Sequence, residues 1–236
     1  MREKAGKYKI LTALLILILG VVSCVAFLLS DSLEAYASVP GGYDKTTKVG
    51  DTVSFGEYQW RVLDIQNGKA LILSDTVIVG KAYHEEQKDI TWEGCTLRQY
   101  LNDEFYDSFS AEEKARIAET TVSNNNNPWY GTNGGNATKD RIFILSVEEV
   151  VQYFGDSGQL RNRPSNNVPF INDQYNSERI VKDANGTALF WWLRSPGYFS
   201  ILAALVYLDG RLVVYGLIVN CSNTEGGARP ALWLNL

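Results

Sequence analysis

The sequence has few of the residues that most often hold metal ions or cross-link small secreted domains. Among its 236 residues there is one histidine, His84, and there are three cysteines with no Cys-x-x-Cys pair. Structural zinc sites are usually built on closely spaced ligand pairs such as Cys-x-x-Cys, which are missing here, and three cysteines cannot form a disulfide framework. The sequence also lacks Gly-x-Ser-x-Gly, His-Glu-x-x-His, P-loop and dinucleotide-binding glycine motifs. We therefore expect no metal and no cofactor.

Basic side chains are in the minority, with 22 Lys and Arg against 27 Asp and Glu. Arg2, Lys4, Lys7 and Lys9 all lie within the first nine residues, together with Glu3. The rest of the chain has 18 basic and 26 acidic side chains, a net charge of −8. An acidic body does not favour a nucleic-acid partner, and none is expected. With 45% hydrophobic and 21% charged residues, a largely disordered chain is excluded as well.

The N-terminal segment Ile10–Leu29 contains no charged residue. Twenty apolar residues can cross a bilayer as a helix, and the basic residues before them predict that the following chain is exported. Three tethers stay open: a retained membrane helix, cleavage near Ala37, or lipid attachment at Cys24, of which the last has the weakest motif. We expect residues 1–43 to be a membrane anchor or signal segment with a spacer, and residues 44–236 to form a domain displayed at the cell surface.

The exported body has short runs of alternating apolar residues and two capping boxes. It predicts an α+β domain with mixed antiparallel strands, a few short helices and long ordered loops. The predicted elements include strands at Thr52–Phe55, Tyr58–Asp64, Ala70–Ser74, Ile142–Leu145, Leu189–Leu193, Ala203–Leu208, Leu212–Tyr215, Leu217–Val219 and Pro230–Leu234, one helix at about Thr96–Phe109, and helices capped by Ser110 and Ser146. Residues 124–136 and 155–188 are predicted to be loops.

The C-terminal segment reads WWLRSPG from Trp191, continues through an Asp-Gly turn and ends with GGARPALWLNL from Gly226. It resembles the variable proteins of bacterial and phage diversity-generating retroelements, which have a C-type-lectin fold. We call the positions that stay fixed in that family the frame. This chain matches the frame at Trp191, Trp192, Arg194, Ser195, Pro196, Gly197, Ala203, Ala204, Val206, Asp209, Gly210, Gly216, Val219, Gly227, Arg229, Pro230 and Leu232, and departs from it at Ala228. Looser N-terminal motifs extend the resemblance to about Val49–Leu236.

In that family the residues between frame positions are rewritten, which here corresponds to about residues 197–224. The resemblance implies a non-enzymatic surface protein that recognises variable ligands, expected to be proteins on another cell or phage. The variable face that it implies consists of Tyr198, Phe199, Ile201, Leu202, Leu205, Tyr207, Leu208, Arg211, Val213, Val214, Tyr215, Leu217, Ile218 and Asn220. Adenine-directed mutagenesis turns AAY codons into NNY, which cannot encode Lys, Gln, Glu, Met or Trp, and none of these occurs between Gly197 and Thr224.

The residues alone leave two interpretations of this apolar segment. It could be an ordinary buried hairpin, or one face could be exposed for binding. Alternation fails across Leu212–Tyr215 and Leu217–Val219, although one face of a terminal hairpin normally meets water. An exposed apolar patch marks an interaction site, and Tyr and Arg dominate binding hot spots. Together with the frame, these properties favour binding.

Six frame residues are expected to hold the backbone in place: Trp191, Trp192, Arg194, Gly210, Gly216 and Arg229. Arg194 is expected to be buried near the two tryptophans and to donate hydrogen bonds to backbone carbonyls. Gly210 and Gly216 are expected to permit turns. A rigid frame would let neighbouring side chains change while the backbone stays the same.

Two other residues could suggest chemistry. His84 is expected to be a solvated loop histidine, and Cys95 a small buried residue. Formylglycine-generating enzymes share the lectin fold and use a cysteine pair, so an enzyme with Cys95 and Cys221 stays an alternative, as does a structural envelope domain. The calcium-binding Glu-Pro-Asn and Gln-Pro-Asp motifs of animal lectins are absent, although Asp and Asn in residues 155–188 leave an ion site open.

Overall fold

A computed structural model describes residues 47–165, 168–221 and 226–236. Contacts divide the chain into Met1–Gly42 and Tyr43–Leu236, and every described residue belongs to the second unit. The predicted membrane segment Ile10–Leu29 lies outside the described residues. Within the described ranges, no helix is both long and apolar enough to cross a membrane.

The first sheet joins the two ends of the described domain. Its order is β1 (Thr52–Phe55), β2 (Tyr58–Gln66), β3 (Lys69–Ser74), β12 (Ala231–Asn235) and β4 (Ile117–Ala118), and all neighbouring strands are antiparallel. Asn67 and Gly68 adopt positive φ angles of 50° and 72° in the β2–β3 turn, as the Asn-Gly pair predicts. Since β12 pairs along its length with β3, the last described strand joins the sheet that contains the first described strand.

The second sheet carries the segment with the frame. It is built from β8 (Ala188–Pro196), β9 (Leu202–Val206), β10 (Leu212–Ile218) and the short β11 (Gly226–Gly227), in the order β10-β9-β8-β11. β8 pairs antiparallel with β9 and with β7 (Val181–Lys182), and parallel with β11. A separate two-stranded sheet consists of β5 (Thr120–Val122) and β6 (Thr138–Asp140).

The helices are short, and their starts follow the capping signals. α3 (Ala111–Arg116) and α4 (Val147–Phe154) begin after Ser110 and Ser146, and both capping boxes predicted from the sequence form. The single helix predicted for Thr96–Phe109 is instead two helices, α1 (Thr96–Asn102) and α2 (Glu104–Asp107). Asp103 separates them because its backbone is not helical, with φ −108° and ψ −94°.

Ile142–Leu145 is buried as predicted but is not a strand. Only Phe143 forms a bridge, to Ala231. The neighbouring carbonyls accept hydrogen bonds from other partners: Ile142 O from Asn102 Nδ2, Ile144 O from Arg194 Nη1 and Leu145 O from the Arg194 N–H. Because two side chains and one isolated backbone N–H satisfy these carbonyls, the segment is held in the core without a strand ladder.

Residues 155–188 are mostly irregular, as predicted, and include α5 (Asn176–Arg179) and β7. Arg179 and Asp173 form a buried ion pair in this region, and Arg179 O accepts a hydrogen bond from Trp191 Nε1 at 3.1 Å. A buried hydrogen bond therefore connects the polar loop to β8. The domain as a whole is α+β with mostly antiparallel sheets, which confirms the predicted class.

Candidate functional site

The β9–β10 hairpin positions the exposed aromatic residues. Gly210 has a φ of +80° at the turn, and a Cβ there would collide with Asn176 O. Gly216 has a φ of +89°, and a Cβ there would lie 2.7 Å from Ala203 O. Backbone conformation and close approach therefore require glycine at both positions. Gly210 lies at a turn, as predicted, whereas Gly216 lies inside β10 and not at a turn.

A bulge around Gly216 explains why apolar alternation fails in this segment. The two strands predicted at Leu212–Tyr215 and Leu217–Val219 are one strand, β10, whose register with β9 shifts between Val213 and Leu217. At the bulge the Tyr215 N–H donates to Pro169 O at 2.9 Å, and Tyr215 O accepts from the Tyr198 N–H at 2.7 Å. Tyr215 therefore bonds outward to two loops, and its side chain is exposed.

Four aromatic side chains meet beside this bulge, and we call Tyr130, Tyr198, Phe199 and Tyr215 the aromatic face. The rings of Tyr198 and Tyr215 stack with centroids 5.3 Å apart and planes at 20°. Tyr130 packs edge-on at 4.6 Å from Tyr198, and Phe199 lies 4.3 Å from Tyr198. Phe199 is 53% exposed, Tyr198 41% and Tyr215 37%. The cluster is therefore ordered by its own contacts while it stays open to solvent.

Asn127 holds the loop that carries Tyr130 against the sheet. Its side chain is buried, and its Nδ2 donates to Pro196 O at 2.8 Å and to Val214 O at 2.9 Å. Its Oδ1 accepts from the backbone N–H groups of Trp129 and Tyr130 at 2.9 and 3.2 Å. One amide therefore joins the end of β8, the bulge in β10 and the loop.

Arg163 supports Tyr130 from the polar loop. Its guanidinium carbon lies 4.6 Å from the centre of the Tyr130 ring and 4.9 Å from that of Trp129. Its Nη2 donates to the Tyr130 hydroxyl at 2.9 Å. Burial raises the pKa of Tyr130 and the nearby Arg163 charge opposes that rise. The hydroxyl is therefore a neutral hydrogen-bonding group at physiological pH.

A smaller exposed group lies at the other end of the hairpin. Tyr207 is 40% exposed, and the Arg211 guanidinium carbon lies 5.5 Å from its ring and 4.5 Å from the ring of Phe170. Arg211 also pairs with Asp209 at 2.7 Å. Both predicted residues are thus accessible, with the arginine already oriented by its neighbours.

The structure separates the predicted variable face into three classes. Exposed side chains are Tyr198, Phe199, Tyr207 and Tyr215, and half-buried ones are Ile201, Leu202, Leu208, Arg211, Val213, Leu217, Ile218 and Asn220. The prediction was wrong for Leu205 and Val214, which are 2% and 0% exposed and belong to the core. Val214 points inward between the more exposed Val213 and Tyr215, and Leu205 lies in a stretch of β9 that is buried throughout, so neither can contact a ligand.

Trp191, Trp192, Arg194 and Arg229 are buried, Gly210 lies at the hairpin turn, and Gly216 lies in the bulge of β10. Arg194 donates to Ser123 O at 3.2 Å and to Ile144 O at 2.8 Å, which confirms its predicted bonds to backbone carbonyls. It also forms an ion pair with Glu149 that the sequence did not predict. Arg229 lies 4.9 Å over the Trp191 ring and donates to Ser74 O at 2.9 Å.

Sequence analysis missed three contributors to the site: Trp129, Tyr130 and Arg163. The first two lie in the loop at residues 124–136, which was predicted to be an exposed connection, and the third lies in the loop at 155–188, which was not linked to the binding face. The available signal was the Trp-Tyr pair after Pro128, since two large aromatic residues are unusual in a loop rich in Asn and Gly.

Cys95 and His84, the two residues that could suggest chemistry, are both buried. Cys95 is free and fully buried, and burial raises the pKa of its thiol to about 12. Its environment is that of the small buried residue predicted, because so high a pKa leaves almost no thiolate. Among the residues that the structure describes, no three His, Cys, Asp or Glu side chains are close enough to hold a metal ion.

The prediction that His84 is solvated was wrong, since its side chain is 4% exposed. Its Nδ1 accepts the Thr96 N–H at 3.1 Å at the start of α1, and its own backbone N–H donates to Val219 O at 2.9 Å. The charged residues that follow His84 in the sequence suggested a surface loop, but these two hydrogen bonds hold His84 in a buried position. Burial, assisted by Lys88, lowers the pKa of His84, while Glu85 and Glu86 oppose the shift.

We expect His84 to make folding stability fall with acidification. Its folded pKa lies below the ordinary value of 6.5, so its contribution is complete above pH 6.5 and is lost as the pH falls toward the folded pKa, because the unfolded chain binds the proton first. His84→Asn keeps an acceptor for Thr96 and cannot titrate. Urea unfolding should show that the free energy of unfolding falls less between about pH 7.5 and about pH 5.5 in this variant than in the parent. An equal fall in both proteins would refute the assignment.

We expect Asn127→Ala to separate the loop from the sheet. The change leaves two buried carbonyls and two N–H groups without their partner, at a cost of about 2 kcal/mol or more in the free energy of unfolding. The near-ultraviolet circular dichroism of the tyrosine cluster should fall as well. Asn125→Ala, at an exposed position in the same loop, is the control and should change neither. A loss no larger than the control's would show that Asn127 does not position the loop.

Comparison with known proteins gives a single family. A family model described as "Domain of unknown function (DUF6273)" matches residues 67–236. No curated protein matches the chain, and no solved structure matches it. The matched range includes β8 to β12, the loop with Asn127 and Tyr130, and every residue of the aromatic face.

Proposed function

This chain belongs to the DUF6273 family, and from that premise we propose that it is a surface-displayed, non-enzymatic protein that binds protein ligands through its C-terminal region. The fold we propose for the domain is C-type-lectin-like, on the frame that begins at Trp191. The proposal includes diversification of about residues 197–224 by a retroelement. We also propose that the domain is exported and that Ile10–Leu29 attaches it to the membrane.

The observation that carries the proposal is the aromatic face. Three of its rings are between 37% and 53% exposed, although a folding core would bury them. Tyrosine brings contact area and a polar hydroxyl at low entropic cost, so it is common in protein-binding surfaces. The rings are already packed on one another, which lowers the cost of ordering them when a ligand binds.

A protein ligand suits this geometry better than a small molecule. Small-molecule sites enclose most of their ligand, whereas these rings protrude from the end of the hairpin and the adjoining loops. Tyr207 and Arg211 offer further accessible contacts on the same hairpin. A protein partner could contact both the aromatic face and the Tyr207–Arg211 pair, which are too far apart for one small ligand to contact together.

Support for diversification comes from the separation of roles. Exposed positions such as Tyr198 and Tyr215 are distinct from buried frame residues such as Arg194, which donates hydrogen bonds to backbone carbonyls. Changes at the exposed positions therefore leave the frame's hydrogen bonds intact. Leu205 and Val214 are excluded from the set that could vary freely.

The two alternatives have less support. A thiol enzyme needs a reactive cysteine, and the buried Cys95 with a pKa of about 12 is a poor nucleophile. A purely structural envelope domain would have no need for a solvent-exposed, pre-packed tyrosine cluster. Both observations favour binding.

Sequencing the DNA around the gene tests the retroelement part of the proposal. We expect a near-repeat of the segment coding for Gly197–Asn223, with adenines at the mismatched positions, and a reverse transcriptase gene nearby. Absence of both from the complete genome would rule out diversification by this mechanism. Binding by a fixed surface would then have to be tested by itself.

A further inference from the structure

An open cavity shares no lining residue with the aromatic face. It has a volume of about 500 Å³, and its walls come from residues on both sides of His84, from α1, α2 and the Asp103 between them, and from the turn after β10. The residues that matter are Lys81, Glu85, Tyr100, Asp103, Glu104 and Asn220. We call this cavity the Tyr100 cleft.

The chain already places an ammonium group on the ring of Tyr100. Lys81 Nζ lies 4.4 Å from the ring centroid, while Lys81 O accepts a hydrogen bond from Trp192 Nε1 at 3.2 Å. Within residues 47–165, 168–221 and 226–236, no carboxylate lies within 4.0 Å of Lys81 Nζ. The contact of Lys81 with the cleft is therefore a cation–π interaction and not an ion pair.

The charges around the ring do not balance. Glu85, Asp103 and Glu104 all line the cleft and are exposed, and in the described part of the chain none of them pairs with a lysine or arginine within 4.0 Å. Three carboxylates against the single ammonium of Lys81 leave the lining two charges negative. A cleft of one sign concentrates ligands of the other sign.

We propose that the Tyr100 cleft is a binding site for a primary ammonium group, in which Lys81 is a displaceable internal occupant. The incoming ammonium takes the place of Lys81 over the ring and is balanced by the carboxylates. A lysine side chain of a protein and a free diamine have this chemistry in common. The amide of Asn220, from the predicted variable segment, borders the same space. The proposal does not depend on the function assigned to the aromatic face.

Calorimetric titration at low salt with two probes tests it. Cadaverine represents a free diamine and Nα-acetyl-lysine methylamide a protein side chain; the norleucine analogue of the latter has no charge and should not bind. Lys81→Met removes the internal occupant and should tighten binding of the ammonium probes about fivefold or more. If only cadaverine binds, the source is a free diamine; if the lysine derivative binds as well, protein side chains qualify.

Matched variants separate the site from the charge of the whole domain. Lys88→Met makes the same change in net charge at a lysine that pairs with Glu86, and it should change affinity much less than Lys81→Met. In the Lys81→Met background, Tyr100→Leu should weaken binding about fivefold while Tyr100→Phe retains it. Tyr100→Leu also removes the contact of Tyr100 with Phe105 and could disturb folding. The double variant Asp103→Asn, Glu104→Gln changes exposed side chains only, so it should weaken binding and leave the melting temperature unchanged.

Two results would overturn the proposal. One is no binding of either ammonium probe to Lys81→Met. The other is equal tightening by Lys81→Met and Lys88→Met, which would indicate general electrostatic attraction. Tyr215→Ser, in the aromatic face, should leave ammonium binding unchanged, so failure of this proposal and failure of the proposed function are separate results.

Discussion

Arg194→Met is expected to lower the free energy of unfolding by about 3–5 kcal/mol. The side chain is 4% exposed and makes two bonds to backbone carbonyls, at Ser123 and Ile144, in addition to its paired contacts with Glu149. Methionine fills much of the volume but donates nothing. Two carbonyls and a partly buried carboxylate would then lose their partner at the same time.

Glu149 amplifies this loss because it also caps a helix. Its Oε2 accepts the Ser146 N–H at 2.9 Å in the capping box of α4, and the same oxygen contacts Arg194. Urea unfolding measures the coupling between Arg194 and Glu149. The variants are Arg194→Met, Arg194→Met combined with Glu149→Gln, and Arg141→Met as an exposed control. Arg141 pairs with Glu119 across exposed surface at 3.3 Å, so its loss should stay below about 1 kcal/mol. The double variant should recover part of the Arg194 loss; similar values for Arg194→Met and Arg141→Met would show that Arg194 does not hold the frame.

The second large effect on the free energy of unfolding is expected at Leu205 and Val214, which the sequence placed on the binding face and the structure places in the core. Leu205→Ala should cost about 2–5 kcal/mol and Val214→Ala about 2 kcal/mol, because both side chains are buried and leave cavities. Tyr198→Ser, Phe199→Ser and Tyr215→Ser should each cost about 1 kcal/mol or less, the value of partial ring stacking at an exposed position. Chemical denaturation of the five variants checks the division. Large losses at the three exposed positions would mean that the aromatic face serves folding.

Much of the fold could be predicted because its signals are local. The capping boxes at Ser110 and Ser146, the Asn67-Gly68 turn and the alternating residues of β1 to β3 each depend on neighbours in sequence, and each forms as predicted. Errors arose where partners are remote. Ile142–Leu145 has the composition of a strand, but Arg194 and Asn102 take its carbonyls from elsewhere in the chain.

The site could be predicted only in part for the same reason. Tyr215 in β10 and Tyr198 in the β8–β9 connection were found because the frame marks their positions in sequence. Tyr130 and Arg163 join them only through the fold, since Asn127 brings its loop to a strand that begins 85 residues further along. The inward direction of Leu205 and Val214 depends on register and on the bulge at Gly216, and neither can be read from an uninterrupted run of apolar residues.

The central claim is that the exposed residues of the hairpin and of the β8–β9 connection bind protein ligands while the frame sets the fold. Its most direct test is a displayed library in which Tyr198, Phe199, Tyr207, Arg211 and Tyr215 are randomised and which is selected against purified hen lysozyme as the probe. The account predicts enriched variants that bind lysozyme with submicromolar Kd, about −8 kcal/mol or better, keep the parent's unfolding free energy, and lose binding when the parental residues are restored. Enriched variants that bind no better than the parent, or a library that is mostly unfolded, would contradict it.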